Sequence, residues 1–493
     1  MPHDPAPTDM DAHHDRSLVV ASNRGPVTLV PDESGNVTER RGVGGLVTAV
    51  GDALRGRDGT WIAAPMSDAD RARATERDPN VRLRTPGGEI LRVRFIDVEQ
   101  ELYDPYYNDF SNRVLWFLHH YLWDPVRPPA FGRRETDAWD AYQAVNRRFA
   151  DMLASEAGED ALALPHDYHL SLVPGMLRRS RGELPIGLFW HIPFCRAGQL
   201  SVIGQWGGWL LEGMLGADVV GFHTKRWANN FADCCRAVLG AQVRNGIVKF
   251  NGRSTRVGVY PLGVDQPGLR AEAERPEVAA AVKDINEIAG DRKLIVRVDR
   301  TELSKNILRG LIAYGAMLER RRDLHGRVVH LVMLTPSRED VLEYREYMAA
   351  CEARAHQIND RFGTATWQPI VLEISDDFAR SLAAYRRYDV LVVNPVYDGM
   401  NLVAKEGPLL NERDGVLVLS TNAGAAAELG PGALLVDPYN QRRTSLALEA
   451  AVDMPAEERR RRGQILRELA PGMSPSRWLE AQIDDLARAP TLV

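Results

Sequence analysis

Short, unbroken apolar runs, separated by longer stretches of helical periodicity, constrain this chain more than any other feature. "SLVVASN" (17–23), "IGLFWHI" (186–192) and "ADVVGFH" (217–223) are such runs. "KLIVRVD" (293–299), "RVVHLVML" (327–334), "IVLEI" (370–374), "DVLVVN" (389–394), "GVLVLS" (415–420) and "ALLVD" (433–437) continue the pattern. A strand with one wet face alternates apolar and polar residues. A strand that is apolar throughout is covered on both faces, which is the state of a parallel sheet between helices. Between the runs, "GGLVTAVGDAL" (44–54) sets Leu46, Val47, Val50 and Leu54 on one helical face, and 269–289 reads as a charged helix. The expected fold is therefore α/β.

At 493 residues the chain is too long for one ordinary core and suits two domains. Pro and Gly cluster in "YPLGVDQPG" (260–268), where a boundary is expected. The division read from the sequence is a polar tail over 1–16, a first domain over 17–264, a second over 265–470 and a terminal helix within 471–493. Both domains are expected to be doubly wound and Rossmann-like, facing each other across a cleft. Ligands of such sheets bind at the carboxyl ends of the strands, so function is sought in the loops after the runs.

Composition narrows the function. A net charge of −6 argues against a general nucleic-acid or membrane-surface role. No apolar stretch is long enough to span a bilayer, and the first sixteen residues have no apolar h-region. The four cysteines, Cys195, Cys234, Cys235 and Cys351, form no Cys-x-x-Cys pair and read as small buried residues of a reducing compartment. A cytoplasmic protein is expected.

Cations, acids and glycines recur after the runs. "NPVYDGMNLVAKE" (394–406) places Asp398 and Gly399 at the mouth of a helix and Glu406 about two turns beyond Asp398. Helix N-termini carry unbonded N–H groups and the positive dipole end, and glycine permits close approach to the backbone. Asp398 can accept from sugar hydroxyls, and the two oxygens of Glu406 suit a ribose diol. An acid capping an ordinary helix is the plain alternative. "RTELSK" (300–305) puts Arg300 and Lys305 after a run, a spacing able to clamp a diphosphate; a solvated loop would look the same. Arg338 in "TPSRED" and Arg24 after the first run pose the same choice. Gly44 and Gly45 open a helix, Asp167 lies in "HDYHL", and His191 ends "GLFWHI". Tyr107 and Trp116 in "YYNDFSNRVLW" would ordinarily be core. Together the loops suit a nucleoside diphosphate on one side and a second phosphorylated molecule on the other.

"SNRGPV", "GVGGL", "YYNDFSNRVLW", "HDYHL", "WHIPF", "GFHTKRWANNF", "YPLGVD", "RTELSK", "TPSRED", "DGMNLVAKE" and "STNAGAAAEL" occur in the order seen in trehalose-6-phosphate synthases, and the chain resembles that family over about 17–480. Those proteins are retaining glycosyltransferases of the GT-B fold. The resemblance implies transfer of glucose from a nucleoside-diphosphate glucose to glucose 6-phosphate. It implies that Arg300 and Lys305 hold the diphosphate with the backbone amides of Leu402 and Val403. Asp398 and the backbone of Gly399, Met400 and Asn401 would take the sugar hydroxyls, and Glu406 the ribose. His191 would touch the donor sugar, and Gly45 would belong to a glycine loop beside the donor. Asp167 would lie at the acceptor. Arg24, Tyr107, Trp116 and Arg338 would bind the acceptor phosphate. Arg300, Lys305, Asp167 and His191 are thereby the implied catalytic set. No metal or other cofactor is implied beyond the nucleotide sugar as co-substrate.

The chain departs from the family pattern in places. The family's second tryptophan, after Trp61, is Ala64 here; the segment 195–213 lacks the usual Pro-x-x-E; Tyr397 stands for an arginine. These departures support an alternative acceptor or donor. Related pseudo-glycosyltransferases join a nucleotide-activated cyclitol to an aminocyclitol phosphate, as in validoxylamine phosphate synthesis, and glucosylglycerol-phosphate synthases are also akin. Expected partners are thus UDP-, GDP- or ADP-glucose or an NDP-cyclitol, and a sugar or cyclitol phosphate. The resemblance allows a homodimer or homotetramer. "SPSRWLEAQIDDLARA" (474–489), with Trp478, Leu479, Ile483 and Leu486 on one side, packs on the second domain or, by the resemblance, crosses back to the first.

Overall fold

A computed structural model of the protein describes residues 16–31, 36–41, 50–51, 54, 59–84, 90–123 and 130–489. The expected tail, most of the expected helix over 44–54 and Gly45 itself lie outside the described residues. The chain forms two compact units, one made of Met1–Leu262 with Pro475–Val493, the other of Gly263–Ser474.

In the first unit the strands lie in the order Val81–Arg84, Ile90–Phe95, Gly59–Ala63, Leu18–Ser22, Leu162–Pro165. Leu18–Ser22 is parallel to both of its neighbours and buried at every position, as an unbroken apolar run requires. A second sheet runs Gly187–Trp190, Val219–Phe222, Arg253–Val259, then an antiparallel pair, Ile247–Phe250 and Gln242–Arg244. Parallel bridges from Ala163 to Ile186 and from His166 to Phe189 join the two sheets side by side. Helix Pro475–Ala487 belongs to this unit: Trp478, Leu479, Ile483 and Leu486 are all buried, and the Tyr260 hydroxyl donates to Asp485 at 2.6 Å.

The second unit has one six-stranded sheet in the order Ile370–Ile374, Val328–Thr335, Lys293–Arg300, Val390–Val393, Val416–Ser420, Leu434–Val436, parallel throughout. In chain order that is 3-2-1-4-5-6, the doubly wound arrangement. Side chains alternate between two cores. Leu294, Val296, Leu331, Leu391 and Leu417 fill one; Ile295, Val332, Val390, Val416 and Val418 fill the other. Strand order reverses between Lys293–Arg300 and Val390–Val393, and the carboxyl ends of strands at such a reversal form the crevice where ligands of these sheets bind.

Two local expectations are corrected. The stretch read as one helix over 269–289 is two, Gln266–Ala273 and Pro276–Ala289. Pro276 disfavours helical geometry at the residue before it, and Arg275 is extended with ψ 148°. Glu406 is not two turns into a helix: the helix is Val403–Leu410, so Glu406 sits in its first turn and Asp398 in the loop ahead of it. The chain enters and leaves this unit at one place. The Gly263 amide donates to the Met473 carbonyl at 2.7 Å and the Val264 amide to that of Pro471 at 3.1 Å. Among the described residues no helix is long and apolar enough to cross a membrane.

Candidate active site

The crevice of the second unit is built from the inside out. Arg297, in the middle of its strand, is fully buried. Its guanidinium donates to Asp299 at 2.7 Å, to the Lys305 carbonyl at 3.1 Å, and to the side chain of Asn394 at the end of the neighbouring strand. Asn306, in left-handed geometry at φ 59°, donates to the carbonyls of Asn394 at 3.0 Å and Pro438 at 2.9 Å. These bonds hold the loop after Lys293–Arg300 against the loop after Val390–Val393.

On that support Lys305 reaches across. Its ammonium lies 2.6 Å from Asp398, which also accepts from the Asn401 amide nitrogen at 3.1 Å. Burial lowers the Lys305 pKa, but the Asp398 and Asp299 carboxylates outweigh it and the ammonium sits above its ordinary value. Arg300 is half exposed and pairs at 2.9 Å with Glu302, whose side chain is fully buried. The segment 398–401 is braced from behind. The Gly424 amide donates to the Asp398 carbonyl at 3.1 Å and the Ala425 amide to that of Met400 at 2.8 Å. A Cβ on Gly424 would come within 2.0 Å of the Gly399 carbonyl oxygen, so only glycine fits there. Leu402 is the N-cap of helix Val403–Leu410, and the first turn of a helix offers amides without intrahelical acceptors. Asp299 is pushed up to about 6 by burial, offset by Arg297 and Lys305. Burial moves Glu406 up to about 7.

In the first unit Arg24 donates to the Tyr107 hydroxyl at 3.2 Å. Tyr107 stacks between Tyr103 and His169, with ring centroids 5.4 and 5.7 Å away. Tyr168 lies 3.9 Å from His169 and 5.7 Å from Trp116, which stacks on His120 at 4.0 Å. The residues Pro105–Leu115 that carry Tyr107 and lead into Trp116 are wound as a π-helix, a winding found frequently at functional sites. Asp167 has φ 73°, strained for an aspartate, and accepts from the His191 backbone amide at 3.2 Å. His191 packs among His166, His223, Phe189 and Trp478. Nδ1 of His166 and Nε2 of His191 are 3.2 Å apart. Burial, reinforced by His223 and His166, holds His191 well below the usual imidazole range.

The structure thus brings Arg24, Tyr107, Trp116 and Asp167 into one aromatic neighbourhood, with His191 adjoining Asp167. It brings Arg300, Lys305, Asp398–Asn401, Leu402, Val403 and Glu406 to the other unit's crevice. Arg338, grouped by sequence with the first set, is carried by the second unit and donates to Tyr344 at 2.6 Å. Sequence reasoning missed Arg297, Glu302, Tyr344 and His166. The signal for Arg297 was present: an arginine inside an otherwise apolar parallel strand is paired or functional.

A family model described as glycosyltransferase family 20 matches residues 16–488. A trehalose-6-phosphate synthase of Mycobacterium sp. (strain KMS) is 36% identical over 487 residues, covering 96% of this chain and 95% of that one. One from Mycolicibacterium smegmatis is 36% identical over 484 residues, covering 95% and 92%. Among solved structures, an alpha,alpha-trehalose-phosphate synthase (UDP-forming) from Burkholderia vietnamiensis is similar with a TM-score of 0.83 at 32% identity, over 96% of this chain and 98% of that one. A like enzyme from Burkholderia xenovorans, in complex with glucose-6-phosphate, gives 0.83 at 29% identity, over 96% and 100%.

Proposed function

The chain belongs to glycosyltransferase family 20, and on that footing we propose that it is a hexosyltransferase that moves glucose, with retention, from a nucleoside-diphosphate glucose to glucose 6-phosphate, giving trehalose 6-phosphate. The observation that carries the reading is the Lys305–Asp398 pair at 2.6 Å, at the point where the order of the parallel strands reverses. It puts a cation for a leaving diphosphate beside an acceptor for sugar hydroxyls, with a helix N-terminus next to both.

The residues divide the work as follows. Lys305, Arg300 and the amides of Leu402 and Val403 hold the diphosphate. Asp398 and the backbone of 399–401 hold the sugar, and Glu406 the ribose. Arg24, Tyr107, Trp116 and Arg338 bind the acceptor phosphate, with Asp167 at the acceptor and His191 at the donor sugar. The C1–O bond to the diphosphate breaks and an oxocarbenium-like centre forms. The acceptor hydroxyl adds on the same face and gives its proton to the departing phosphate oxygen. The protein's part is to stabilise the leaving charge and to align two bound molecules. Lys305 and Arg300 supply the positive charge that a divalent ion supplies elsewhere.

The test is a matrix of UDP-, GDP- and ADP-glucose against glucose 6-phosphate, glycerol phosphate and an aminocyclitol phosphate, read by mass spectrometry. The UDP-forming relatives make UDP-glucose the first donor to try. A hexosyl disaccharide phosphate from glucose 6-phosphate is the expected product. Its absence with every donor rejects the reading, and product only from another phosphorylated polyol replaces the acceptor.

A further inference from the structure

Glu302 stands between the two arginines to which the functional reading assigns the two phosphates. Strands Lys293–Arg300 and Val328–Thr335 run parallel with Arg300 opposite Thr335, so the loops that follow leave the sheet side by side. The Thr301 amide fastens them by donating to the Thr335 carbonyl at 2.8 Å. One loop carries Glu302, the other Ser337 and Arg338. A single oxygen of Glu302, Oε1, lies 2.9 Å from the Arg300 guanidinium, 3.5 Å from that of Arg338 and 3.2 Å from the Ser337 hydroxyl. The carboxylate is 0% exposed and Arg338 only 6%. Arg338 is also held by the Tyr344 hydroxyl and has φ 50°. A non-glycine residue persists in that conformation when its surroundings over-determine it, and such residues cluster at ligand clamps.

One buried carboxylate oxygen serves both guanidinium groups, and the Lys305 ammonium also feels the same carboxylate. Arg300, with the closer contact, takes more of it. A phosphate that engages Arg300 draws that guanidinium from Oε1, and more of the carboxylate's charge is then left for Arg338. We propose that Glu302 is a positioning residue that couples the two phosphate sites, so that a nucleotide at Arg300 fixes Arg338 for the phosphate of the acceptor. The proposal rests on the functional reading above. Coupling of this kind is reciprocal, so the sugar phosphate must tighten the nucleotide by the same factor.

Isothermal titration tests it on the full-length protein without turnover. The dissociation constant of glucose 6-phosphate is measured alone and with saturating nucleoside diphosphate, using whichever of UDP, GDP and ADP binds best. The wild type is expected to bind the sugar phosphate about fivefold or more tightly with nucleotide present. In Glu302→Gln the ratio falls to near one, Glu302→Asp restores much of it, and Ser337→Ala leaves it unchanged. A purely structural role for Glu302 would weaken both ligands or lower the melting temperature without changing the ratio. The same ratio in wild type and Glu302→Gln overturns the proposal. So does a ratio of one in the wild type, a result that holds even if Glu302→Gln does not fold. Disaccharide phosphate formed by a wild type with a ratio of one refutes the coupling alone; a wild type that binds neither ligand refutes the functional reading with it.

Discussion

The Lys305 ammonium and the Asp398 carboxylate meet at 2.6 Å across 93 residues of sequence, linking the loops after two adjacent parallel strands. Each is mostly buried, with side chains 13% and 16% exposed. Neither charge would be kept there for stability alone, because desolvation offsets much of the attraction of a buried pair. A ligand that needs both groups explains the arrangement.

Lys305→Ala should therefore cost turnover far more than stability. Removing one charged contact to a leaving group is worth about 10²–10³ in kcat. The check is kcat with saturating substrates alongside the melting temperature. A variant that keeps near wild-type kcat contradicts the role.

Glu406 links nucleotide binding to pH. Burial raises its pKa to about 7. Between the ordinary glutamate value of 4.5 and about 7 the native state holds a proton the unfolded chain has shed, so this group favours the fold at acid pH and the contribution is lost as pH rises through the window. A ribose diol needs the ionised form. Nucleotide affinity should fall by up to about tenfold per pH unit below 7, with proton release on binding measured by titration in buffers of different ionisation enthalpy. Glu406→Gln should bind more weakly and flatten this limb. Asp299, raised to about 6, faces Arg297 instead, so the substitution separates the two titrations.

Arg297→Ala should be the most destabilising change at the site. It strips the partner from Asp299 and the donors from the Lys305 carbonyl and Asn394. Breaking a buried pair from one side costs about 3–5 kcal/mol. Chemical denaturation should show that loss, with activity falling in parallel because Lys305 is no longer held.

Chelation tests the division of charge. If Arg300 and Lys305 neutralise the leaving diphosphate, EDTA-treated protein should turn over at the untreated rate. A rate that falls on chelation and returns with a divalent ion would reassign that role.

The strands of this fold were legible because burial on both faces leaves runs such as 390–393 and 416–419 wholly apolar. The break at Pro276 was written in the sequence as well, in the geometry proline imposes on Arg275. The helix start at Val403 was not. Asp398 and Gly399 resemble a cap, and only the bracing of 398–401 by Gly424 and Ala425 shows that they form a loop first. The cations and acids after strands were visible as types at spacings. Their mutual geometry was not, because Glu302 joins Arg300 to Arg338, and Arg297 joins Lys305 to Asn394, through contacts that no local pattern encodes. The π-helix through Tyr107 was equally hidden, since its apolar spacing differs little from that of an ordinary helix.

The most direct test of the whole account is a crystal structure with nucleoside diphosphate bound. The phosphates should lie within hydrogen-bonding distance of Lys305, Arg300 and the amides of Leu402 and Val403, with the ribose on Glu406. Nucleotide bound elsewhere, or at the crevice with Lys305 still closed on Asp398 and Arg300 turned to solvent, would contradict it.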